Sequence, residues 1–304
     1  MSDTTAPEPD TSPRPIVVGV DGSQISYQAV AWAAVEAELR QWPLHLVVAY
    51  GVQSGREPFT ALGVAEKGAV RSEGLRVLAE AARIAHHAAP GNTFSLTSEA
   101  VDELALPALM RRSARARMMV VGNRGRGAIR RAVLGSVSTG LARHAHCPVT
   151  VVHGDLDIER LGVDRPVIVG VDGTENSLPA VRMAFEEASL RKAPLIAVHS
   201  WCDTSGFDLE VVGWETIRQS EDVLLAEGLA GFGEEFPDVS VERHVTYETP
   251  VRALLDYSDR AQLLVVGTHG RGGFAGVVLG SVSTALLHVA NCPVLVVRSQ
   301  EESR

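Results

Sequence analysis

Two stretches of the chain place glycine, serine and arginine directly after an apolar run, a combination that suits anion binding. They read VVGNRGRGAIRRAVLGSVST at 120–139 and VVGTHGRGGFAGVVLGSVST at 265–284, and both contain the spacing G-x2-G-x9-G-S. Glycine lets backbone N–H groups approach an anion closely, and a helix that starts at the final Gly-Ser pair adds free amides and partial positive charge. Each stretch therefore predicts a phosphate-binding loop.

Neither of the two best-known phosphate loops matches these stretches. A Walker A loop needs a lysine, and the only lysines, Lys67 and Lys192, lie outside both. Residues 270–275 fit the dinucleotide pattern G-x-G-x-x-G/A, but no acidic residue follows until Glu301, and Arg130 breaks the pattern in the first loop. A glycine turn that only lets helix and sheet pack is the alternative. The same spacing in two loops favours phosphate binding.

The chain is an internal duplication. PIVVGVDGSQIS at 15–26 returns as PVIVGVDGTENS at 166–177, an offset of 151 residues, and CPVTVV at 147–152 returns as CPVLVV at 292–297, an offset of 145 residues. A repeat of this length is a whole domain rather than a solenoid unit. The predicted organisation is a disordered tail at 1–14, a first domain at 15–153, a linker at 154–165 and a second domain at 166–298.

Within each half, short apolar runs alternate with segments of helical spacing. The alternation predicts an α/β fold with two tandem, doubly wound parallel sheets, and near-continuous apolar strands agree with a sheet buried on both faces. In the first half, strands are predicted at 16–20, 44–50, 93–100, 118–122 and 148–152, and helices at 25–41, 62–89, 104–115 and 136–145.

The position of the predicted ligand follows from this topology. Ligands of doubly wound sheets bind at the carboxyl ends of the strands, where the strand order reverses. Asp21 follows the first predicted strand and Asp172 its repeat, while each glycine loop follows a fourth strand. If the first and fourth strands are neighbours, the aspartate and the glycine loop meet in one crevice.

Composition excludes several functional classes. The net charge of −9 and an aromatic content of 5% argue against nucleic-acid binding. No apolar stretch approaches the roughly 20 residues that cross a bilayer, and the N-terminus has no signal-peptide core. The three cysteines are too few and too scattered for a disulfide framework or a metal site. We therefore expect a cytoplasmic protein with no integral membrane association and no metal ligands of its own.

Taken together, the Gly-Val-Asp-Gly turns, the G-x2-G-x9-G-S loops and the HCPVTVV ending resemble the universal stress protein family in its tandem, ATP-binding form. The resemblance spans residues 15 to 298. It implies the strand order 3-2-1-4-5 in each half and ATP held between the first and fourth strands. It also implies that the halves pair with each other through their last strands, 148–152 and 293–297.

The resemblance further implies which residues bind the nucleotide. Asp21 and Asp172 would contact the nucleoside, the backbone near Ala49 and Ser200 would meet the adenine, and the glycine loops would hold the phosphates, with Mg²⁺ bound through those phosphates. The implied set is Gly19, Asp21, Ala49, Val121, Gly122, Gly125, Arg126, Gly127, Gly135, Ser136, Val137 and Ser138 in the first half, and Gly170, Asp172, Ser200, Val266, Gly267, Gly270, Arg271, Gly272, Gly280, Ser281, Val282 and Ser283 in the second.

The expected function is a nucleotide-dependent regulator of a stress or growth-arrest response, read by a protein partner or through a homo-oligomer such as a dimer. The alternative is a slow ATPase or a nucleotide-dependent transferase that uses the same pockets. His269 in the second loop matches Arg124 in the first, so neither supplies a catalytic group to both sites. Asp21 and Asp172 do recur, but a lone carboxylate beside a nucleoside typically binds ribose. No catalytic residue is assigned.

Three features of the sequence leave alternatives open. Arg130 and Arg131 occur only in the first loop, where they either add phosphate contacts or lie on an exposed surface. The arginines of residues 111–117 suit a solvated helix face better than a nucleic-acid site. Cys147 and Cys292 occupy matching positions and are either small buried apolar residues or redox sensors.

Overall fold

In the computed structural model, the described residues are 13–51, 64–125, 134–153, 165–201, 214–270 and 279–298. They form ten strands: β1 (Ile16–Gly19), β2 (Leu44–Ala49), β3 (Leu96–Val101), β4 (Met118–Gly122), β5 (Val149–Val152), β6 (Val167–Val171), β7 (Leu195–Ser200), β8 (Val241–Thr246), β9 (Leu263–Gly267) and β10 (Val294–Val297). They also form nine α-helices: α1 (Gln24–Arg40), α2 (Val64–Ala88), α3 (Ala105–Ser113), α4 (Ser136–His144), α5 (Leu178–Arg191), α6 (Trp214–Leu229), α7 (Phe232–Glu235), α8 (Pro250–Ser258) and α9 (Ser281–Val289).

All ten strands belong to one continuous sheet. Its order is β3-β2-β1-β4-β5-β10-β9-β6-β7-β8, so the first half has the order 3-2-1-4-5 that the resemblance implied. Counted inward from the β8 edge, the second half has the same order, β8-β7-β6-β9-β10. All pairs within a half are parallel, as expected for an α/β sheet with helices on both faces.

The two halves join through their last strands, as expected. β5 and β10 pair antiparallel, with Val151 opposite Val294 and Val149 opposite Val296. This pairing covers the edge that each five-stranded sheet would otherwise expose, and an exposed edge is a template for aggregation.

The predicted elements agree with the structure apart from their ends. The third strand was predicted from residue 93 but begins at Leu96, because pairing with β2 starts at the Leu44–Leu96 pair. Helix α1 begins where the Ser23 side chain accepts a hydrogen bond from the backbone N–H of Ser26, as an N-cap residue does, and it ends at Gln41 in the left-handed conformation. Among the described residues, no helix is long and apolar enough to cross a membrane.

A buried ion-pair cluster lies between α1 and α5, where the two halves meet. Its members are Glu36 and Arg40 from the first half and their repeats Glu187 and Arg191, each with a side chain at most 5% exposed. Arg40 Nη2 lies 2.6 Å from Glu187 Oε1, and Arg191 Nε lies 2.9 Å from Glu187 Oε2. Both arginines also pair with Glu36. Each half therefore neutralises charge buried by the other.

Candidate functional site

A cavity of about 640 Å³ opens at the carboxyl ends of β1 and β4, where the strand order reverses. Its volume is within the ordinary range of small-molecule sites. The neighbouring strands β1 and β4 bring the aspartate turn and the glycine loop together, as the topology predicted. The cavity is lined by Gly19, Val20, Asp21, Ser26, Val47, Ala49, Ala105, Leu109, Val121, Gly122, Arg124, Gly125, Leu134, Gly135, Ser136, Val137 and Ser138.

A tight turn after β1 fixes Asp21 in this cavity. Gly22 adopts a φ of 80°, a conformation that favours glycine, and Asp21 Oδ1 accepts hydrogen bonds from the Ser23 N–H at 3.0 Å and the Ser23 hydroxyl at 2.6 Å. The carboxylate is thereby held in one orientation before any ligand binds.

The second half repeats this turn. Gly173 adopts a φ of 77°, and Asp172 Oδ1 accepts hydrogen bonds from the Thr174 N–H and hydroxyl, both at 2.8 Å. A serine in one half and a threonine in the other therefore perform the same orienting role.

The glycine loop approaches the aspartate closely. A Cβ added at Gly125 would lie 2.6 Å from Asp21 Oδ2, and one added at Gly122 would lie 3.0 Å from Ile25 Cγ2. A side chain at either position would therefore require the neighbouring group to move. In the second half, a Cβ at Gly270 would lie 3.4 Å from Asp172 Oδ2, which is ordinary contact.

Helix α4 starts at the cavity without a side chain to cap it. Its N-cap residue is Gly135, and the N-cap of α9 is Gly280. Neither helix start has a hydrogen bond from a capping side chain. The first N–H groups of a helix need acceptors and carry partial positive charge, so this geometry suits an anion.

The serines that follow the N-cap glycine have different surroundings. Ser136 is exposed at the start of α4, whereas Ser138 is buried and donates its hydroxyl to the Gly135 carbonyl at 3.1 Å and the Asn123 carbonyl at 3.3 Å. In the second half, the Ser283 hydroxyl donates to the Gly267 carbonyl at 2.6 Å. A hydroxyl has one hydrogen to donate. In this geometry these two serines therefore brace the loop, and their direct contact with phosphate stays a prediction.

The other predicted residues fall into three groups. Ala49 lies at the end of β2 in the cavity, and Ser200 lies at the end of β7, where its hydroxyl donates to the Glu248 carbonyl. Gly170, Val266, Gly267, Ser281 and Val282 lie on β6, β9 and the start of α9, in the positions that match the first half. Arg126, Gly127, Arg271 and Gly272 lie outside the described residues, as do Arg130 and Arg131.

Sequence reasoning missed part of the cavity wall. Ala105 and Leu109 of α3 and Val47 of β2 supply apolar surface. Their approach depends on how α3 packs over the sheet, so spacing along the chain gives no signal for it. Arg124 also lines the cavity, and its place between two loop glycines was a usable signal.

Burial shifts the pKa of both matched cysteines and of His153. Burial raises the pKa of Cys147 and of Cys292 to about 12, so both thiols stay protonated and unreactive at neutral pH. Burial lowers the pKa of His153, which lies at the end of β5. In the part of the chain that the structure describes, no cluster of three or more His, Cys, Asp or Glu residues could hold a metal ion.

Comparisons with known proteins agree with this architecture. The chain is 42% identical over 286 residues to Universal stress protein Rv2005c of Mycobacterium tuberculosis (strain ATCC 25618 / H37Rv), covering 93% of this chain and 96% of that protein. It is 38% identical over 284 residues to Universal stress protein Rv2623 of the same strain, with the same coverage. A universal stress protein structure from Archaeoglobus fulgidus DSM 4304 shares the fold, with a TM-score of 0.64 at 18% identity over 93% of this chain and 97% of that one.

The duplication also appears in the family comparison. The model of the Universal stress protein family matches twice, over residues 13–153 and 165–298, and each match contains one aspartate turn and one glycine loop. Two matches that together span most of the chain, with relatives of similar length, show that the chain belongs to the universal stress protein family.

Proposed function

We propose that the protein is an ATP-binding regulator with one nucleotide site in each half. The observation that carries the proposal is the convergence of Asp21, the glycine loop and the uncapped start of α4 on one cavity. A carboxylate is suited to binding ribose hydroxyls. A glycine turn lets the backbone approach the ligand closely, and a helix N-terminus is suited to binding phosphate. The same three parts recur in the second half as Asp172, its glycine loop and the start of α9.

The cavity wall supports an assignment of each part of the nucleotide. Ala49, Val47 and Leu109 form an apolar region suited to a purine ring. Asp21 lies on the same wall, and we assign the ribose contact to its carboxylate, which Ser23 holds in one orientation. Bound nucleotide brings phosphate charge to the site, and the amides around Gly125 and Gly135, with Arg124, would hold that charge. Mg²⁺ would bind through the phosphates.

The proposed regulator consists of a tail at 1–14, domains at 15–153 and 166–298, and a linker at 154–165. It acts in the cytoplasm during stress or growth arrest. A partner protein or a second copy of the chain reads the nucleotide state. The complete proposed contact set is the one that the resemblance implied, including the four loop residues outside the described ranges.

Calorimetry with the full chain tests this proposal. ATP should bind with a stoichiometry of two per chain, and heat-denatured purified protein should release any adenine nucleotide it carried. A stoichiometry near zero would contradict the proposal, and a value near one would restrict it to one half. With Mg²⁺ present, no ATP hydrolysis should be detected over the duration of a binding measurement. Sustained turnover that Asp21→Ala and Asp172→Ala each lower, and that the double variant abolishes, would instead favour the slow ATPase.

A further inference from the structure

Two hydrogen bonds join helix α9 of the second half to the first half, and one of them reaches the cavity wall. The backbone N–H of Leu134, a cavity residue, donates to His288 Nδ1 at 3.4 Å. His153 Nε2 lies 2.7 Å from the carbonyl oxygen of Leu287 and donates to it. Leu287 and His288 are neighbours in α9, so one turn of this helix contacts both the cavity wall and the end of β5.

Two further hydrogen bonds within the first half close these contacts into a ring. The N–H of Asn123 donates to the Val152 carbonyl at 2.8 Å, and the N–H of Gly135 donates to the Asn123 carbonyl at 2.8 Å. Val152 precedes His153, and Leu134 precedes Gly135. The ring therefore runs from α9 through the end of β5 and the end of β4 to the N-cap of α4, and back to α9.

We propose that His288 is a positioning residue of the first nucleotide site, supplied by the second half. This inference rests on the proposed function. Leu134 immediately precedes the N-cap Gly135, so an acceptor that holds the Leu134 N–H also fixes where the first amides of α4 point. Amides fixed in advance lose less entropy when they bind an anion.

The chemistry of the matching position restricts this arrangement to the first site. At the 145-residue offset, Leu279 matches Leu134 and Arg143 matches His288. A guanidinium has only donors, so Arg143 cannot accept the hydrogen bond that His288 accepts. Arg298, which matches His153, donates to the backbone carbonyl of Arg143, one residue beyond Ala142, the match of Leu287. The contact from the last strand to the opposite helix therefore recurs with a shift of one residue, whereas the side chain at position 143 cannot accept the hydrogen bond that His288 accepts.

The test uses the full chain in two backgrounds that each leave one proposed site. Asp172→Ala leaves the first site and Asp21→Ala the second. His288→Leu removes the acceptor, and in the Asp172→Ala background it should weaken ATP binding about three- to tenfold, the worth of one net hydrogen bond. In the Asp21→Ala background the same substitution should change affinity less than about twofold.

Two further variants separate positioning from packing. His288→Asn restores an acceptor oxygen near the place of Nδ1 and should recover most of the lost affinity. Arg143→Leu is the matched control, because this side chain is exposed and occupies the same helical position in the first half. It should leave both sites unchanged. In the protein without nucleotide, amide exchange at Leu134 should accelerate with His288→Leu and not with Arg143→Leu.

The outcomes separate this inference from the function on which it rests. If the unsubstituted chain binds no ATP, the proposed function fails and this inference fails with it. If the unsubstituted chain binds two ATP and His288→Leu binds normally at the first site, or weakens both sites equally, only the inference fails. If His288→Asn binds as weakly as His288→Leu, the acceptor role of His288 is wrong.

Discussion

Gly125 lies directly against the carboxylate of Asp21, so close that an added Cβ would stand 2.6 Å from Asp21 Oδ2. The matching pair in the second half is looser, because a Cβ at Gly270 would lie 3.4 Å from Asp172 Oδ2. Gly125 does not adopt a positive φ, so the close approach of Asp21, rather than a left-handed conformation, favours glycine at this position. The two sites therefore differ in their tolerance of a methyl group.

Gly125→Ala should weaken ATP binding at the first site by about one to two orders of magnitude, roughly 1.4–2.8 kcal/mol, because the methyl group displaces the Asp21 carboxylate. Gly270→Ala is the matched control and should cost the second site less than about threefold. Calorimetry resolves both values. Equal losses of ATP affinity at the two sites would show that the distance between the loop glycine and the aspartate does not determine affinity.

Asp21→Ala should lower the ATP stoichiometry from two to one. The side chain is half-buried outside the main apolar clusters, so the melting temperature without ligand should change little. The stabilisation that ATP adds should fall because each site contributes RT ln(1 + [L]/Kd), and the contribution of the first site is lost. A thermal-shift titration measures both quantities. Unchanged ATP-induced stabilisation would remove Asp21 from the site.

Arg191→Ala should lower the free energy of unfolding by about 3–5 kcal/mol, because it leaves Glu36 and Glu187 buried without one of their two arginines. Arg182→Ala is the control, since that ion pair with Glu235 is about half exposed and should contribute less than about 1 kcal/mol. Urea denaturation followed by circular dichroism compares the two variants. A similar small loss in both would show that the cluster is not needed to hold the halves together.

The contribution of Glu36 to stability should fall as the pH rises from about 5 to 7. Burial, followed by repulsion from Glu187, raises the pKa of Glu36 from its usual 4.5 to about 7. The folded chain then binds a proton that the unfolded chain has released, so deprotonation opposes folding across this window. Glu36→Gln should remove this part of the pH dependence.

The comparison of Glu36→Gln with the unsubstituted chain reports on Glu36 together with its buried neighbour Glu187, whose pKa is lowered because Arg191 and Arg40 outweigh its burial. Burial lowers the pKa of His153, so the stability that His153 contributes is lost as the pH falls, which is the opposite dependence. His153 is present in both proteins, so its contribution cancels when the two are compared. Denaturation midpoints at several pH values provide the measurement. Parallel pH profiles for the two proteins would contradict the raised pKa.

Cys147 and Cys292 should resist thiol reagents in the folded chain. Burial raises the pKa of both to about 12, so very little thiolate is present at pH 8. In a Cys202→Ser background, an aromatic disulfide reagent should label neither residue until denaturant is added. Rapid labelling of the native protein would revive the redox-sensor alternative.

Local pattern was enough to predict the duplication, the α/β class and the crevice in which Asp21 and the first glycine loop meet. Strand and helix periodicity are properties of neighbouring residues, and a parallel sheet brings the ends of its first and fourth strands to one edge. The residues after those ends, Asp21 and the first glycine loop, could therefore be placed in one crevice from their positions in the sequence alone. The repeat then predicted a second site at Asp172 and residues 265–284.

Only the tertiary structure determined which residues from distant parts of the chain contact those residues. Leu109 reaches the cavity because α3 packs over the sheet, and the Ser138 hydroxyl turns into the loop because its carbonyl acceptors lie there. The pairing of Glu36 with Arg191 and the approach of His288 to Leu134 join residues 155 and 154 positions apart. Such contacts depend on the antiparallel junction of the two halves. A local pattern records which face of an element is apolar, but it does not record which residue of the other half will lie opposite.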